Sequence, residues 1–358
     1  MSSKKLVVFY HADCMDGYAA ACAFKLNYSG PEPFYKKSSY GFVNKLNTGI
    51  ADKLLNDTVT HLVFLDICPD YDNLKYLADQ GFKILVLDHH ATAKDTLFKG
   101  IDNVGYVMAD NLSGASLVYS VGKNIATLLD AKVKAGTFLE PILVEHVTLS
   151  SNLDVEPIDI INPTACMHNR LYKLLEVRDI WDTTDPKRKL DADYLAAYFK
   201  HHNTANNKVA IIGSIFDMDL DAALAEGKLI YDVQESLLRN VMRNCYTSSI
   251  LTGDGKPVEL LIGQCPDGMG SMFGDIWNEQ HESSIVIALY FNFRANMIGI
   301  SVRSNNGMSR YIGERLGGGG GHDNASGAMI NTAKEFFSIN TFITTVESWI
   351  YDYRKGGK

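Results

Sequence analysis

The sequence predicts an α/β protein: an N-terminal parallel-sheet domain joined by a helical connector to a smaller α+β C-terminal domain. Three observations carry this. The chain has 358 residues, room for two domains of ordinary size. Its first hundred residues alternate short, continuously apolar runs with helix-forming segments. Continuous hydrophobicity marks strands buried on both faces, as in a parallel sheet under helices. After residue 245 the texture changes to short strands separated by turns.

In order, Leu6-Val7-Val8-Phe9-Tyr10 forms the first strand, and the Ala-rich stretch 17–26 the first helix. Residues 61–67 and 83–87 are two further strands, separated by a helix over 71–80 that Gly81 ends. This β-α-β rhythm argues for parallel pairing with crossover helices. Residues 114–180 are expected to be mostly helical, with a 3.6-type apolar pattern over 116–129. A long helix over 219–244 follows, with Leu220, Leu224, Gly227, Ile230, Val233, Leu237 and Val241 stepping down one face. Strands are expected at 259–262, 284–291 and 297–302. The resulting division is 1–205, a connector at 206–245, and 246–358. The sequence has no internal repeats, and its low-complexity piece is Gly317 to Gly321.

Composition narrows the function classes. With 46% hydrophobic and 21% charged residues, the chain is ordinary globular protein. No apolar run nears the roughly 20 residues of a membrane span, and residues 6–10 are too short for a signal peptide. Six cysteines without a CxxC pair suit free thiols in a reducing compartment, so a cytoplasmic location is expected. A net charge of −8 and a pI near 5.7 disfavour a grip on long nucleic acid, which needs many phosphates neutralised. A small anion held by focused charge or metal remains open.

Metal-type residues collect where apolar runs end. His11, Asp13 and Asp16 follow the first strand, Asp66 follows Leu62 to Leu65, and Asp88-His89-His90 closes Ile84 to Leu87. In open α/β sheets ligands bind beyond the carboxyl ends of strands, so the three groups converge on one place. Taken singly, Asp16 is an ordinary helix cap and Asp66 an ordinary turn former; together they call for a cation. Mixed Asp and His donors suit manganese first, with cobalt, iron or magnesium as alternatives. The donors exceed what one ion needs. Two ions sharing a carboxylate would activate water and clamp an in-line phosphoryl displacement.

At this point the sequence resembles the DHH phosphoesterase superfamily. The resemblance lies in Asp88-His89-His90 after a buried strand, the upstream His/Asp loop and the intervening strand-end Asp66. Gly318-Gly319-Gly320-Gly321-His322, followed by Ala325 and Gly327, is similar to the GGGGHxxAxG signature of the DHH-associated domain. Together these motifs span residues 11 to 327. Resemblance to the nanoRNase and oligonucleotide or cyclic dinucleotide phosphodiesterase group implies a two-lobed, manganese-dependent enzyme holding its substrate between the lobes. It implies further that Asp66 bridges the ions and His89 binds one, with Asp88 in the same metal set. His90 becomes a supporting or substrate-phosphate contact, and His322 a contact to the terminal phosphate.

The family's fourth motif is an Asp after the helical insert. Asp179, in Arg178-Asp179-Ile180-Trp181, resembles its Arg-Asp-x-Trp form more closely than Asp154 does. One departure stands out: Cys14 and Met15 both separate Asp13 from Asp16, where many members have one residue. One of these aspartates can therefore fall outside the metal shell, and Asp16, before Gly17, is the stronger candidate. Cys14 and Cys68 are expected to be small buried filler. The glycine run, with Arg303 as a positive partner, is expected to let backbone amides approach phosphate or base. Ser113-Gly114-Ala115 resembles a family turn and equally a plain helix start.

His201-His202 are expected to be solvated loop residues, and His61, His146, His168 and His281 structural. Lys36-Lys37 are read as a solvated face and Arg354-Lys355 as a charged tail. The expected activity is hydrolysis of short oligonucleotides or linear or cyclic dinucleotides to nucleoside 5′-monophosphates. No membrane or long-strand tracking module is expected, and an oligomer is possible. Competing readings are a phosphomonoesterase or pyrophosphatase, and a nucleotide sensor whose catalysis has decayed.

Overall fold

The computed structural model describes residues 5–12, 14–46, 49–134, 141–162, 169–180, 184–202, 219–266, 268–316, 319–321, 323–333 and 337–353. The chain divides into two compact units, Met1–Ile230 and Tyr231–Lys358.

The first unit is built on a seven-stranded sheet. Its strands in chain order are β1 (Leu6–His11), β2 (Phe34–Ser38), β3 (His61–Leu65), β4 (Lys83–Asp88), β5 (Val104–Ala109), β6 (Ile142–Val144) and β7 (Val147–Ser151). Their spatial order is β2-β1-β3-β4-β5-β7-β6, with the first five parallel and the last two antiparallel. The apolar runs are buried on both faces by strict alternation. Val8, Tyr10, Val63, Leu65, Leu85 and Leu87 face one core with the helices Met15–Asn27 and Gly114–Val121. Val7, Phe9, Leu62, Phe64, Ile84 and Val86 face the other with the helix Tyr71–Asp79.

The long stretch expected to be helical needs correction at two places. The pattern over 116–129 breaks at Gly122, whose φ of +50° ends one helix at Val121 before another runs Ile125–Asp130. Beyond it, Val147–Ser151 pairs antiparallel with β5 and carries β6 to the sheet edge. The strand expected over 61–67 stops at Leu65, because Asp66 turns into the left-handed region at φ +56°. His201 and His202 end a helix, Pro186–His202, and His202 Nε2 lies 2.7 Å from the Glu226 carboxylate. They are helical and not loop residues, and both are exposed, as expected. The long helix runs Leu220–Met242.

The second unit holds a six-stranded sheet ordered β12-β13-β11-β10-β9-β8. These are β8 (Tyr246–Leu251), β9 (Pro257–Gln264), β10 (Ser284–Asn292), β11 (Met297–Ser304), β12 (Gly320–Gly321) and β13 (Ala325–Asn331). β9 and β10 are parallel and the rest antiparallel. Ile285, Ile287, Ile300 and Val302 form one core with Ile312, Val346 and Ile350. Val286 and Ala288 form the other with Phe273 and Ile276 of the helix Gly270–Asn278. Gly320 and Gly321 of the glycine run are thus strand, not linker.

Candidate metal centre

Three adjacent parallel strands bring the first unit's polar groups to one edge. Tyr10 pairs with Leu65, and Leu65 with Leu87. The next residue on each strand is therefore His11, Asp66 and Asp88, a row across the carboxyl end of the sheet. Asp66 adopts its left-handed turn there, a conformation that costs a non-glycine residue roughly 1–2 kcal/mol and collects at functional sites. Its amide stays anchored to the Leu87 carbonyl at 2.9 Å.

Around this row the side chains close on one another. Nε2 of His89 lies 3.2 Å from Asp66 Oδ1 and 3.2 Å from Asp179 Oδ2. Nδ1 of His11 lies 3.4 Å from Asp66 Oδ2. Asp88 has a different part: its Oδ1 accepts from the amides of His89 and His90 at 2.7 and 3.0 Å, and lies 2.7 Å from His90 Nδ1. One Asp88 oxygen thereby fixes the turn that carries both histidines. Tyr40, which the sequence did not single out, places its ring edge-on near His11 and His90, with centroids 5.3 and 6.2 Å away.

Asp16, in the first turn of the helix Met15–Asn27, is 2% exposed. Both its oxygens accept from the Ala115 amide, at 3.1 and 3.2 Å. The start of the helix Gly114–Val121 thus holds a carboxylate, as helix N-termini do for anions. Gly114 is required for this approach. A Cβ there would meet Asp66 Cβ at 2.6 Å and Asp16 Oδ2 at 2.8 Å.

Among the described residues the donor atoms fall into three overlapping groups, each with its atoms within 4.8 Å of one another: Asp66, Asp88, His89 and His90; His11, Cys14 and Asp66; Asp16, His89 and Asp179. Several are buried without any hydrogen bond: His11 Nδ1, both oxygens of Asp66, Asp88 Oδ2, His89 Nε2 and Asp179 Oδ2. A divalent cation satisfies carboxylate and imidazole donors together, so these residues fit a metal.

Electrostatics without the cation are conflicted. Burial pushes Asp16 well above the usual carboxylate range, and Asp179 and Asp66 reinforce it. Asp179 is raised chiefly by burial. Burial alone would raise Asp66 too, but the imidazoles of His11, His89 and His90 outweigh it and hold Asp66 low. Burial alone would lower His89, yet Asp66 and Asp179 hold it up to about 9. Against the same burial, Asp88 holds His90 up to about 10. Burial, then the neighbouring carboxylates, push the Cys14 thiol well up.

The other described residues that the sequence singled out belong to none of these groups. Asp154 is exposed, 3.7 Å from Lys134, and belongs to none of the three groups. Arg303, on β11, donates to Val302 O at 2.9 Å and Ser271 Oγ at 2.7 Å. Gly274 clears space for it, since a Cβ there would sit 2.4 Å from Arg303 Cβ. Gly319 presses on backbone, its added Cβ 2.3 Å from Gly313 O, whereas Gly320 faces open space. Gly321 pairs with Ser326 in the sheet. Asp13, Gly318, His322 and Trp181 lie outside the described residues. His61 begins β3 and is buried. Among the described residues no helix is long and apolar enough to cross a membrane.

No family model matches the chain, and no curated protein matches it. Solved structures do. An uncharacterized protein from Helicobacter pylori is 18% identical, covering 97% of this chain and 99% of its own, with TM-score 0.34. An exopolyphosphatase-related protein from Bacteroides fragilis is 14% identical over 97% and 92%, with TM-score 0.49. A pGpG-specific phosphodiesterase from Vibrio cholerae is 13% identical over 98% and 99%, with TM-score 0.44. Likenesses this distant assign no function.

Proposed function

We propose that this chain is a DHH-type, divalent-metal-dependent phosphodiesterase. Its substrates are short oligonucleotides or linear or cyclic dinucleotides, which it hydrolyses to nucleoside 5′-monophosphates. One observation carries the reading. Buried, hydrogen-bond-deficient carboxylates and imidazoles from the ends of three adjacent parallel strands, with Asp16 and Asp179, form a single polyvalent donor cluster. Bound divalent ions, manganese foremost, supply Lewis acidity and bring water to a reactive protonation state near neutral pH.

The chain's own groups do the rest. Asp66 lies within ion-pair distance of both His11 and His89, so it is the carboxylate placed to serve two ions. His89, Asp16 and Asp179 would hold one ion, and His11 and Asp66 the other. Asp88 holds His90 through Nδ1, and His90 is the proposed contact to a phosphate oxygen. In the second unit, Arg303, Gly318, Gly319, Gly320 and Gly321, with His322, are the proposed contacts to substrate phosphate and base. His322 donates to phosphate oxygens as charge develops on them.

The test is turnover of a panel with manganese: a linear dinucleotide, a cyclic dinucleotide, a short oligonucleotide, pyrophosphate and an aryl monophosphate. Products are read by mass spectrometry. Release of 5′-monophosphates from diesters, abolished by chelator and by Asp66→Asn, is expected. Asparagine tolerates the left-handed turn, so that variant keeps the backbone. Cleavage of the monoester or pyrophosphate alone replaces the reading with a phosphomonoesterase or pyrophosphatase. Metal and nucleotide binding without turnover replaces it with a sensor.

A further inference from the structure

We propose that Cys14 is a metal ligand through Sγ, and that the His11–Cys14–Asp66 corner takes a thiophilic divalent ion (Co2+, Zn2+ or Fe2+) in preference to Mn2+. The inference rests on the metal-centre reading above and makes its two sides chemically unequal.

The geometry points this way first. Ligand atoms of His11, Cys14 and Asp66 lie within 4.8 Å of one another. Around a tetrahedral ion with bonds of about 2.0–2.3 Å, donor atoms sit about 3.4–3.8 Å apart. Closing donor pairs by up to about 1–1.5 Å, shared between two side chains, therefore completes the shell. Two of the three partners carry the independent mark of a missing ligand. Asp66 is 1% exposed with neither oxygen in a formed hydrogen bond, and His11 Nδ1 is buried with the Asp66 carboxylate as its ion-pair neighbour at 3.4 Å.

The local fold fixes where the thiol can go. Cys14 is the N-cap residue of the helix Met15–Asn27. The turn from β1 into that helix is tight, because a Cβ on Gly17 would fall 2.3 Å from the His11 carbonyl oxygen and 2.7 Å from its Cβ. Cys14 is thereby pinned beside His11. Cys68, the other cysteine next to a proposed ligand, behaves differently: its thiol donates to the Pro69 carbonyl at 3.2 Å. It belongs to none of the candidate groups.

The chemistry then separates the two sides. Asp16, His89 and Asp179 present two oxygens and one nitrogen, a hard donor set that suits Mn2+ or Mg2+. A thiolate with imidazole and carboxylate suits Zn2+, Co2+ or Fe2+. Binding breaks the Cys14 S–H bond, forms an S–metal bond and releases the proton to solvent.

Cobalt titration of the full metal-free chain tests this by absorbance, without reference to turnover. A sulfur-to-cobalt charge-transfer band in the near ultraviolet is expected for the wild type. It should vanish in Cys14→Ser and Cys14→Asp and persist in Asp13→Asn. Cys14→Asp should also shift the preference between zinc and manganese toward manganese by about tenfold or more. Wild-type protein that binds cobalt without the band overturns the inference while leaving the metal centre standing. A band that survives Cys14→Ser overturns it as well. Wild-type protein that binds no cobalt overturns the metal-centre reading itself. Alkylation of wild-type Cys14, followed by mass spectrometry, needs no variant to fold: saturating cobalt should block it at least tenfold, and unprotected alkylation overturns the assignment.

Discussion

Gly114→Ala is the sharpest single perturbation of the centre, because helix propensity and site geometry pull it in opposite directions. Gly114 opens the helix Gly114–Val121, where alanine normally gains about 0.5–1 kcal/mol over glycine. The added methyl, however, would lie 2.6 Å from Asp66 Cβ, 2.7 Å from Asp66 Oδ1 and 2.8 Å from Asp16 Oδ2. Asp66 Cβ is fixed by the backbone turn and cannot swing aside, so the helix start or the turn must shift. Overpacking of that kind costs about 1–3 kcal/mol. The net expectation is a loss of about 1–2 kcal/mol, a fall in Tm of about 2–8 °C for a unit of this size. Asp16 and Asp66 are displaced together, so metal affinity should fall by about 10- to 100-fold, as when groups that orient ligands are removed. Differential scanning calorimetry with and without Mn2+, together with metal titration, reads both quantities. Gly41→Ala is the control, since its nearest new contact is Ser39 Oγ at 3.9 Å; it should change stability by no more than about 0.5–1 kcal/mol, toward gain. A Gly114→Ala protein that melts higher than wild type and binds Mn2+ equally well would refute the argument.

How much of this was legible in the sequence depends on what each feature needed. β1, β3 and β4 were readable because residues such as Val63 and Leu65 are buried on one face and Leu62 and Phe64 on the other, which makes the run continuous. β2 was not, since Phe34 is 69% exposed and its Lys36-Lys37 looks like surface. The same holds for β8, an exposed edge strand. The alignment of His11, Asp66 and Asp88 followed from parallel pairing alone, as any such strand ends at the same edge. What stayed hidden were contacts between segments far apart in the chain. Ala115 binding Asp16 across 99 residues, the approach of Tyr40 to the histidines and the pairing of His202 with Glu226 have no periodic signature. Cys14 carries no signal of its own in the sequence, and the fold is what sets it beside His11 and Asp66.

Two further predictions bear on the centre. Asp179→Asn should lower metal affinity by at least about tenfold, whereas Asp154→Asn, at an exposed site, should stay within about 0.5 kcal/mol of wild-type stability; metal titration and thermal melts showing the reverse would move the ligand to Asp154. The pH dependence of metal stabilisation follows from the charge states. His89 and His90 are held up to about 9 and about 10, above their ordinary 6.5. Their contribution to the metal-free fold is therefore fully present below pH about 6.5 and lost as pH rises through about 9–10. Asp16 and Asp179 are also raised, so their contribution too is present below the ordinary carboxylate range and lost as pH rises through their folded values. All four groups thus weaken the metal-free fold on the alkaline side. A cation reverses the sign, because it binds neutral imidazole and ionised carboxylate and expels protons as it does so. The rise in Tm on adding saturating Mn2+ should therefore be several degrees larger near pH about 8.5 than near pH about 6. A metal-induced shift that stays constant or shrinks over that range would mean that His89, Asp16 and Asp179 are not the groups giving up their protons to the ion.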